Sequence, residues 1–280
     1  MSEPTTAAPS AQAPYYAPHG GHPPQTELLT DRAIVTEAYT VIPRGVMRDI
    51  VTSVFPEWSR TRAWVLNRPV AGGATTFAQH ILEVSPGGGA QKPEPQAEVA
   101  GFLFVMEGQL SITHEGQRHE LTPGGFAFLP AGSAWSAQND GAEAARFHWF
   151  RKRAEPLEGH PARFAVGNEH DVEPGSMPGT DGRWRTTRML DPNDLGYDFG
   201  VNIVTFEPGA SIPFAETHIM EHGLYVLQGK GVYRLNADWV EVQEGDYMSL
   251  RAFCPQACYA GGPGPFRYLL YKDQNRQVVL

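Results

Sequence analysis

One glutamate and two histidines in the segment 209–229 have the types and the spacing of metal ligands. Glu216 and His218 are two residues apart, so a strand would present both on one face, and His222 has the same parity. A carboxylate and two imidazoles that converge are a ligand set suited to Mn, Fe, Ni or Zn. On a helix the two histidines would also face together, but the zinc-protease motif needs Glu after the first histidine, where Ile219 stands. The segment therefore predicts a divalent transition-metal site on an extended chain.

A late apolar segment, residues 266–273, adds a second set of chemical groups. Strand alternation places Tyr268, Leu270 and Lys272 on one face. A lysine on the same face as Leu270 is unexpected in a barrel interior unless it meets an anion. The alternative is a lysine at the strand end that reaches solvent. Tyr233, in an earlier strand, is a further candidate for the same pocket.

The elements that must position these groups are short strands separated by tight turns. Hydrophobic residues make up 41% of the 280 residues, and the 30 glycines and 24 prolines exceed ordinary usage. Apolar runs such as 99–106, 125–129, 200–206 and 223–227 are rich in aromatic and β-branched residues, and Pro-Gly or similar pairs follow them. Windows with a helical period are scarce. The pattern predicts an all-β fold.

An internal repeat divides the chain. Gly108 and Gly229 are 121 residues apart, and so are Gly124 and Gly245, with similar residues around each pair. A strand–turn–strand unit has been duplicated, which predicts two similar β-barrels in tandem. The Pro- and Gly-rich residues 155–197 are expected to connect them.

The glycines of the second copy and the candidate ligands between them together resemble the sequence motifs of the cupins. Their first motif has a glycine on each side of a group of histidine and glutamate ligands, and here the segment from Gly209 to Gly229 fits it with Glu and His exchanging two slots. In the second motif, after Gly245, Gln256 occupies the slot of the fourth ligand. An amide oxygen is a harder donor than imidazole, so a set of Glu216, His218, His222 and Gln256 favours Mn²⁺ over zinc.

The first copy keeps the glycines of the two motifs, beginning at Gly88, but lacks the ligands. A constant spacing of 121 aligns the four ligand positions with Pro95, Ala97, Gly101 and Trp135. None of these side chains binds a metal, and we expect Trp135 to fill the space. The resulting prediction is a bicupin of two antiparallel jelly-roll barrels. Its expected segments are a disordered tail (1–26), a metal-free barrel (27–154), the connection (155–197) and the barrel with the active site (198–280).

Three further segments are informative: ETHIMEHGLYVLQGKGVYRL, WVEVQEGDYM and FRYLLYKDQNR. With them, the chain from about Leu29 onward resembles the (S)-ureidoglycine aminohydrolase family, manganese bicupins of purine (allantoin) breakdown. This resemblance implies hydrolysis of (S)-ureidoglycine to (S)-ureidoglycolate and ammonia, with substrate contacts at Glu216, Gln256, Tyr268 and Lys272. Glu216 and Lys272 are then the candidate acid–base groups. Two alternatives stay open: another bicupin enzyme, such as a dioxygenase or decarboxylase, and a non-catalytic small-molecule binder.

Composition limits the partners and the location. The formal net charge of −9 disfavours a nucleic-acid partner. No apolar run approaches the length of a membrane helix, and the N-terminus lacks the apolar core of an export signal. Two cysteines and no signal favour a reduced cytoplasm. We expect a homo-oligomer that acts on a small molecule.

Overall fold

The computed structural model describes residues 33–44, 55–69 and 75–273. Within these ranges the chain is almost entirely antiparallel β-structure, with a single 3-10 turn at Glu169–Asp171 and no α-helix. The all-β prediction is therefore confirmed. The tail 1–26 lies outside the described residues. No helix in the described part of the chain is long and apolar enough to cross a membrane.

The first barrel is a nine-stranded sheet. Its strands are β3 (Ser59–Asn67), β4 (Phe77–Ala90), β5 (Val99–Glu107), β6 (Leu110–His114), β7 (Gln117–Leu121), β8 (Gly125–Leu129), β9 (Trp135–Gln138), β10 (Ala145–Arg153) and β11 (Ala165–Asn168). The strand order is β11-β8-β5-β10-β4-β9-β6-β7, and β3 pairs with the other side of β4. A cluster of tryptophans, among them Trp58, Trp135 and Trp149, packs in its interior with Leu82 and Leu103.

The second barrel combines two sheets. The strands are β1 (Ile34–Val35), β2 (Tyr39–Ile42), β12 (Gly175–Ser176), β13 (Trp184–Arg188), β14 (Phe199–Phe206), β15 (His222–Gln228), β16 (Lys230–Leu235), β17 (Asp238–Gln243), β18 (Tyr247–Leu250), β19 (Gln256–Ala260) and β20 (Phe266–Asp273). The eight-stranded sheet has the order β1-β2-β18-β15-β20-β14-β13-β12, and the three-stranded sheet has the order β17-β16-β19. Buried apolar side chains from both sheets form one core.

The two halves pack face to face through aromatic side chains. Phe128 of β8 lies against Phe199 of β14, with 5.5 Å between ring centroids, and Phe150 of β10 lies 5.5 Å from Tyr271 of β20. Continuous apolar runs in β5 and β8 are thereby explained, since both faces of these strands are buried. The two barrels therefore support each other through this shared aromatic core.

Sheet membership does not follow chain order everywhere. The strands β1 and β2 precede the first barrel in sequence, yet β2 pairs with β18 of the second barrel. The expected connection 155–197 also contains strands, because β11 pairs with β8 in the first barrel and β13 pairs with β14 in the second. Each barrel thus extends beyond the chain segment expected for it.

The strand registers show how the two copies correspond. Gly101 lies opposite Arg151 in the first barrel, as His222 lies opposite Lys272 in the second, which preserves the spacing of 121. In the strands that precede these residues, the spacing between the copies is 122. Phe206 pairs with Phe266 in the second barrel as Val84 pairs with Ala145 in the first. The counterpart of Gly209, with φ +75°, is therefore Gly87, with φ +73°, and not Gly88. A constant spacing is wrong in this part of the repeat.

Candidate active site

Two cross-strand pairs form the frame of the site. His222 begins β15 and lies directly opposite Lys272 of β20. Glu216 forms a bridge with Gln256, the first residue of β19, through two backbone hydrogen bonds of 2.9 Å each. Opposed residues of an antiparallel pair present their side chains on the same face, so each pair delivers two functional groups together.

The segment that carries Glu216 and His218 is not the strand that the sequence predicted. Apart from isolated bridges at Ser211 and Glu216, residues 209–221 are loop and turn. His218 is held there by its carbonyl, which accepts a hydrogen bond from the backbone N–H of Phe253 at 2.7 Å. A left-handed φ of +63° at Phe253 shapes that contact. The predicted residues do converge, but through loop geometry rather than strand alternation.

Both imidazoles are oriented by one carbonyl oxygen. The Nδ1 atoms of His218 and His222 lie 3.1 and 3.3 Å from the oxygen of Met220. Nδ1–H donation to a backbone carbonyl is the usual way in which a metal-binding histidine is held with its Nε2 lone pair free. The Nε2 atoms of both rings point to the side chain of Gln256, at 3.2 Å for His218 and 3.1 Å for His222.

In this geometry both ring nitrogens of His222 face an oxygen atom, and a cation next to Nε2 would remove the conflict. The amide of Gln256 turns its oxygen to Nε2 of His222, while Nδ1 of the same ring meets the oxygen of Met220. A neutral imidazole has one N–H, so one of its nitrogens faces an oxygen with lone pair against lone pair. Rotating the amide transfers the same conflict to His218. A second proton is opposed by burial, which lowers the pKa of His222 to about 4.

The donor set fits a divalent metal. Two imidazole nitrogens and an amide oxygen converge, and Glu216 is the adjacent carboxylate. In the described part of the chain, no three His, Cys, Asp or Glu side chains meet at metal-binding distances. Glu216 is therefore not at metal-binding distance together with His218 and His222, and the amide of Gln256 is the third group that contacts both imidazoles.

Charge is concentrated at the same place. Burial raises the pKa of Glu216, and the nearby Lys272 ammonium opposes this rise. Burial lowers the pKa of Lys272, the positive charge of Arg188 adds to that effect, and Glu216 opposes it. The pKa of His218 is lowered by burial and by Lys272. Lys272 is half-buried beside the candidate ligands, so it is not a solvated strand end.

Two tyrosines lie deeper in the second barrel. The hydroxyl of Tyr233 donates to the hydroxyl of Tyr268 at 3.1 Å, and both side chains are buried. Burial raises the pKa of each phenol well above its usual value, and the charge of Glu216 contributes to both shifts. The candidate site residues predicted from the sequence therefore occupy one region of the second barrel. They are Glu216, His218, His222, Tyr233, Gln256, Tyr268 and Lys272.

The sequence analysis missed a related pair in the first barrel. Glu94 accepts hydrogen bonds from Nε and Nη2 of Arg151, at 2.6 and 2.7 Å. Arg151 is the counterpart of Lys272. At the spacing of 122 that holds in the preceding strands and at the bridge of Ser211, Glu94 rather than Pro95 aligns with Glu216. A carboxylate and a cation thus lie at equivalent places in both barrels: Glu94 and Arg151 form an ion pair, and Glu216 and Lys272 are close enough to shift each other's pKa. A comparison of the copies that allowed a one-residue insertion would have found it.

Glu221 also has a role that its sequence position did not indicate. Its carboxylate accepts hydrogen bonds from the backbone N–H and the hydroxyl of Thr76, each at 2.5 Å. The residue is buried next to His222 and joins the loop before β15 to the first half of the molecule. This contact ties the position of the candidate ligands to the packing of the two halves.

Comparison with known proteins agrees with this architecture. The family model of the EutQ-like cupin domain matches residues 71–154, and that of the cupin domain matches residues 202–271. The (S)-ureidoglycine aminohydrolase of Escherichia coli (strain K12) is 33% identical over 259 residues, which cover 91% of this chain and 95% of the relative. The Arabidopsis thaliana enzyme of the same name is 34% identical over 231 residues, covering 82% and 74%.

A solved structure extends the likeness to three dimensions. A crystal structure of a Pseudomonas aeruginosa protein has a TM-score of 0.87 and 58% identity to this chain, covering 96% of this chain and 99% of that one. Identity above 30% with almost complete coverage, two cupin domains and the shared fold together define the family. The chain therefore belongs to the (S)-ureidoglycine aminohydrolase family of two-domain cupin hydrolases.

Proposed function

We propose that this protein hydrolyses (S)-2-ureidoglycine to (S)-ureidoglycolate and ammonia, in a manganese-dependent step of purine (allantoin) breakdown. The observation that carries the proposal is the paired placement of Glu216 with Gln256 and of His222 with Lys272 in one half-buried site. The names of the relatives support the reaction, and the groups present match its chemical needs.

The substrate carries a carboxylate, and Lys272 is the cation that meets it. The Nζ ammonium of Lys272 is half-buried among Glu216, His218 and His222, where a bound anion exchanges water for a charged partner. Tyr268 and Tyr233 line the deeper side, where their hydroxyls form a donor–acceptor pair. This arrangement orients the carboxylate and excludes water from one side of the reacting carbon.

Residues Glu216, His218, His222 and Gln256 would hold the manganese ion. An amide and a carboxylate oxygen beside two imidazoles form a harder ligand set than the histidine-rich sets that suit zinc. When bound, the ion would act as a template and Lewis acid that offsets the negative charge of the substrate. The carbonyl of Met220 keeps both imidazoles in the tautomer that this requires.

The reaction also needs proton transfer. Water loses a proton as its oxygen bonds to the α-carbon, and the amino group must be protonated as it leaves as ammonia. Glu216 and Lys272 are the titratable groups available. Burial shifts the pKa of the carboxyl upward and that of the ammonium downward, which brings the two closer and favours proton exchange in the site.

Ammonia release under argon is the decisive measurement. The purified protein, loaded with manganese, is mixed with freshly prepared (S)-ureidoglycine, and ammonia and ureidoglycolate are quantified against the rate of spontaneous decay. We expect both products in equal amounts, at an unchanged rate without oxygen. Metal analysis of the same sample gives the manganese content per chain.

The outcomes separate the alternatives. A rate that stops under argon identifies an oxygenase, and loss of carbon dioxide in place of ammonia identifies a decarboxylase. Saturable binding without turnover identifies a non-catalytic binding protein. Each of these results overturns the proposed hydrolysis, and a fully active enzyme without bound manganese overturns the metal assignment.

A further inference from the structure

The first barrel contains a cavity at the place where the second barrel has its candidate active site. The cavity has a volume of about 240 Å³, and residues of its wall include Glu94, Gly101, Trp135 and Trp149. Gly101 and Trp135 are the counterparts of His222 and Gln256, and Glu94 is the counterpart of Glu216. The volume lies just below the ~300–1,000 Å³ of ordinary small-molecule sites.

A glycine creates part of this space. A Cβ built on Gly101 would lie 3.1 Å from Nε1 of Trp149. In the second barrel the equivalent residue is His222, whose imidazole occupies that region. The first barrel therefore leaves open the volume that a candidate metal ligand fills in the second barrel. Trp135 lines this space but does not fill it, contrary to the expectation from the sequence.

An unpaired hydrogen-bond donor borders the same space. Trp149 is 1% exposed, and its Nε1–H has no hydrogen-bond partner in the structure. Buried donors are rarely left unpaired, because an unmatched polar group costs about 1–3 kcal/mol. An acceptor atom of a ligand next to Gly101 would provide the missing partner.

A carboxylate adds acceptors to the wall. Glu94 forms a bidentate pair with Arg151, whose guanidinium carbon lies 4.8 Å above the ring of Trp149. A carboxylate offers about four lone-pair sites, and Arg151 and the backbone N–H of Gln96 together use three of them. The remaining site accepts an N–H donor, and the ring of Trp135, inclined by 80° to that of Trp149, offers a flat surface to a planar ligand.

We propose that the first barrel holds a second, non-catalytic binding site for a small planar molecule of the cyclic amide or ureide class, with a carbonyl oxygen on Trp149 and an N–H on Glu94. This site is separate from the proposed hydrolytic site and does not depend on its function. A neutral ligand fits better than an anion, because Arg151 is already neutralised by Glu94.

Hydantoin is the probe, and 1,3-dimethylhydantoin is its matched control without N–H groups. Binding to the full-length, manganese-loaded protein is measured by calorimetry and by saturation-transfer NMR. We expect saturable hydantoin binding, weakened about tenfold by Trp149→Phe, which keeps a smaller aromatic side chain and removes the indole N–H donor. Gly101→Ala, which narrows the cavity, should weaken it similarly, and dimethylhydantoin should bind more weakly than hydantoin.

Three controls make the result decisive. Thermal melting shows that each variant is folded, and ureidoglycine turnover should be unchanged in Trp149→Phe because that residue lies outside the hydrolytic site. Lys272→Met should leave the first-barrel affinity unchanged. The proposal is overturned by absence of saturable binding, by wild-type affinity in both Trp149→Phe and Gly101→Ala, or by hydantoin binding that only Lys272→Met abolishes.

Discussion

Replacing Lys272 by methionine tests the charge that the site presents to its substrate. Methionine keeps the unbranched apolar stem and removes the ammonium. The side chain is half-buried, lies opposite His222 and adjoins Glu216, so the substrate carboxylate would lose its cationic partner in a partly desolvated place. Folding and metal content should survive, since Lys272 is not in the ligand set.

The size of the effect follows from this burial. Removing one partner of a hydrogen-bonded charge pair costs about 2–5 kcal/mol, and each 1.36 kcal/mol is a factor of ten in rate. Because Lys272 is only half-buried, we expect the lower part of this range, a decrease of about 30- to 300-fold in kcat/KM. Lys272→Arg should restore little, since a planar guanidinium does not reproduce a point charge.

The assay compares ammonia release, bound manganese and melting temperature in both variants with those of Lys230→Met. Lys230 is exposed on β16, so its replacement controls for the loss of one positive charge. Wild-type kinetics of Lys272→Met with manganese fully bound would refute the reasoning. The acid–base work would then belong to Glu216 or to water.

Four further predictions concern other parts of the molecule. His218→Ala and His222→Ala should each lose bound manganese and activity together, and full metal content in either variant, measured by elemental analysis, would contradict the ligand assignment. Gln256→His should shift metal preference in competition experiments toward softer metals such as zinc, and an unchanged preference would argue against the amide as selector. Trp135→Ala should lower the free energy of unfolding by about 3–5 kcal/mol because the ring is buried among tryptophans; denaturant unfolding that shows less than about 1 kcal/mol would contradict this packing role. Burial, and to a smaller extent the positive charge of Arg146, lowers the pKa of His148 from 6.5 to about 3. The unfolded chain therefore binds a proton at a pH where the folded protein does not, and the free energy of unfolding should decrease as the pH falls below 6.5. Urea unfolding at about pH 7 and about pH 5 should show a smaller loss in His148→Phe, and an equal loss would refute this.

Much of the site could be predicted from residue types and parity alone. Lys272 and Tyr268 are on one strand, where alternation is a reliable rule, and their common face is confirmed by the register of β20 with β15 and β14. The convergence of His218 with His222 was also anticipated, but for a wrong reason. An irregular loop has no period, so its path to the site depends on contacts such as the one between His218 and Phe253.

Other features depend on contacts between distant residues. The bidentate pair of Glu94 and Arg151 joins positions 57 residues apart, and Glu221 meets Thr76 across 145 residues. The partner of Glu221 cannot be selected from sequence, because many donors are available and only the folded chain brings one of them to this carboxylate. The first copy has one residue more than the second in this region, so a comparison at constant spacing does not align Glu94 with Glu216.

The sequence by itself determined the all-β class, the duplication and the chemical identity of the candidate ligands, because composition, turn residues and repeat spacing are local properties of the chain. Only the tertiary structure decided that Met220 orients both imidazoles, that the strands of residues 34–42 belong to the second barrel, and that Gly101 leaves a cavity beside an unpaired indole N–H. These are matters of which surfaces are buried against each other. Burial is set by the packing of the whole chain, and no local pattern records it.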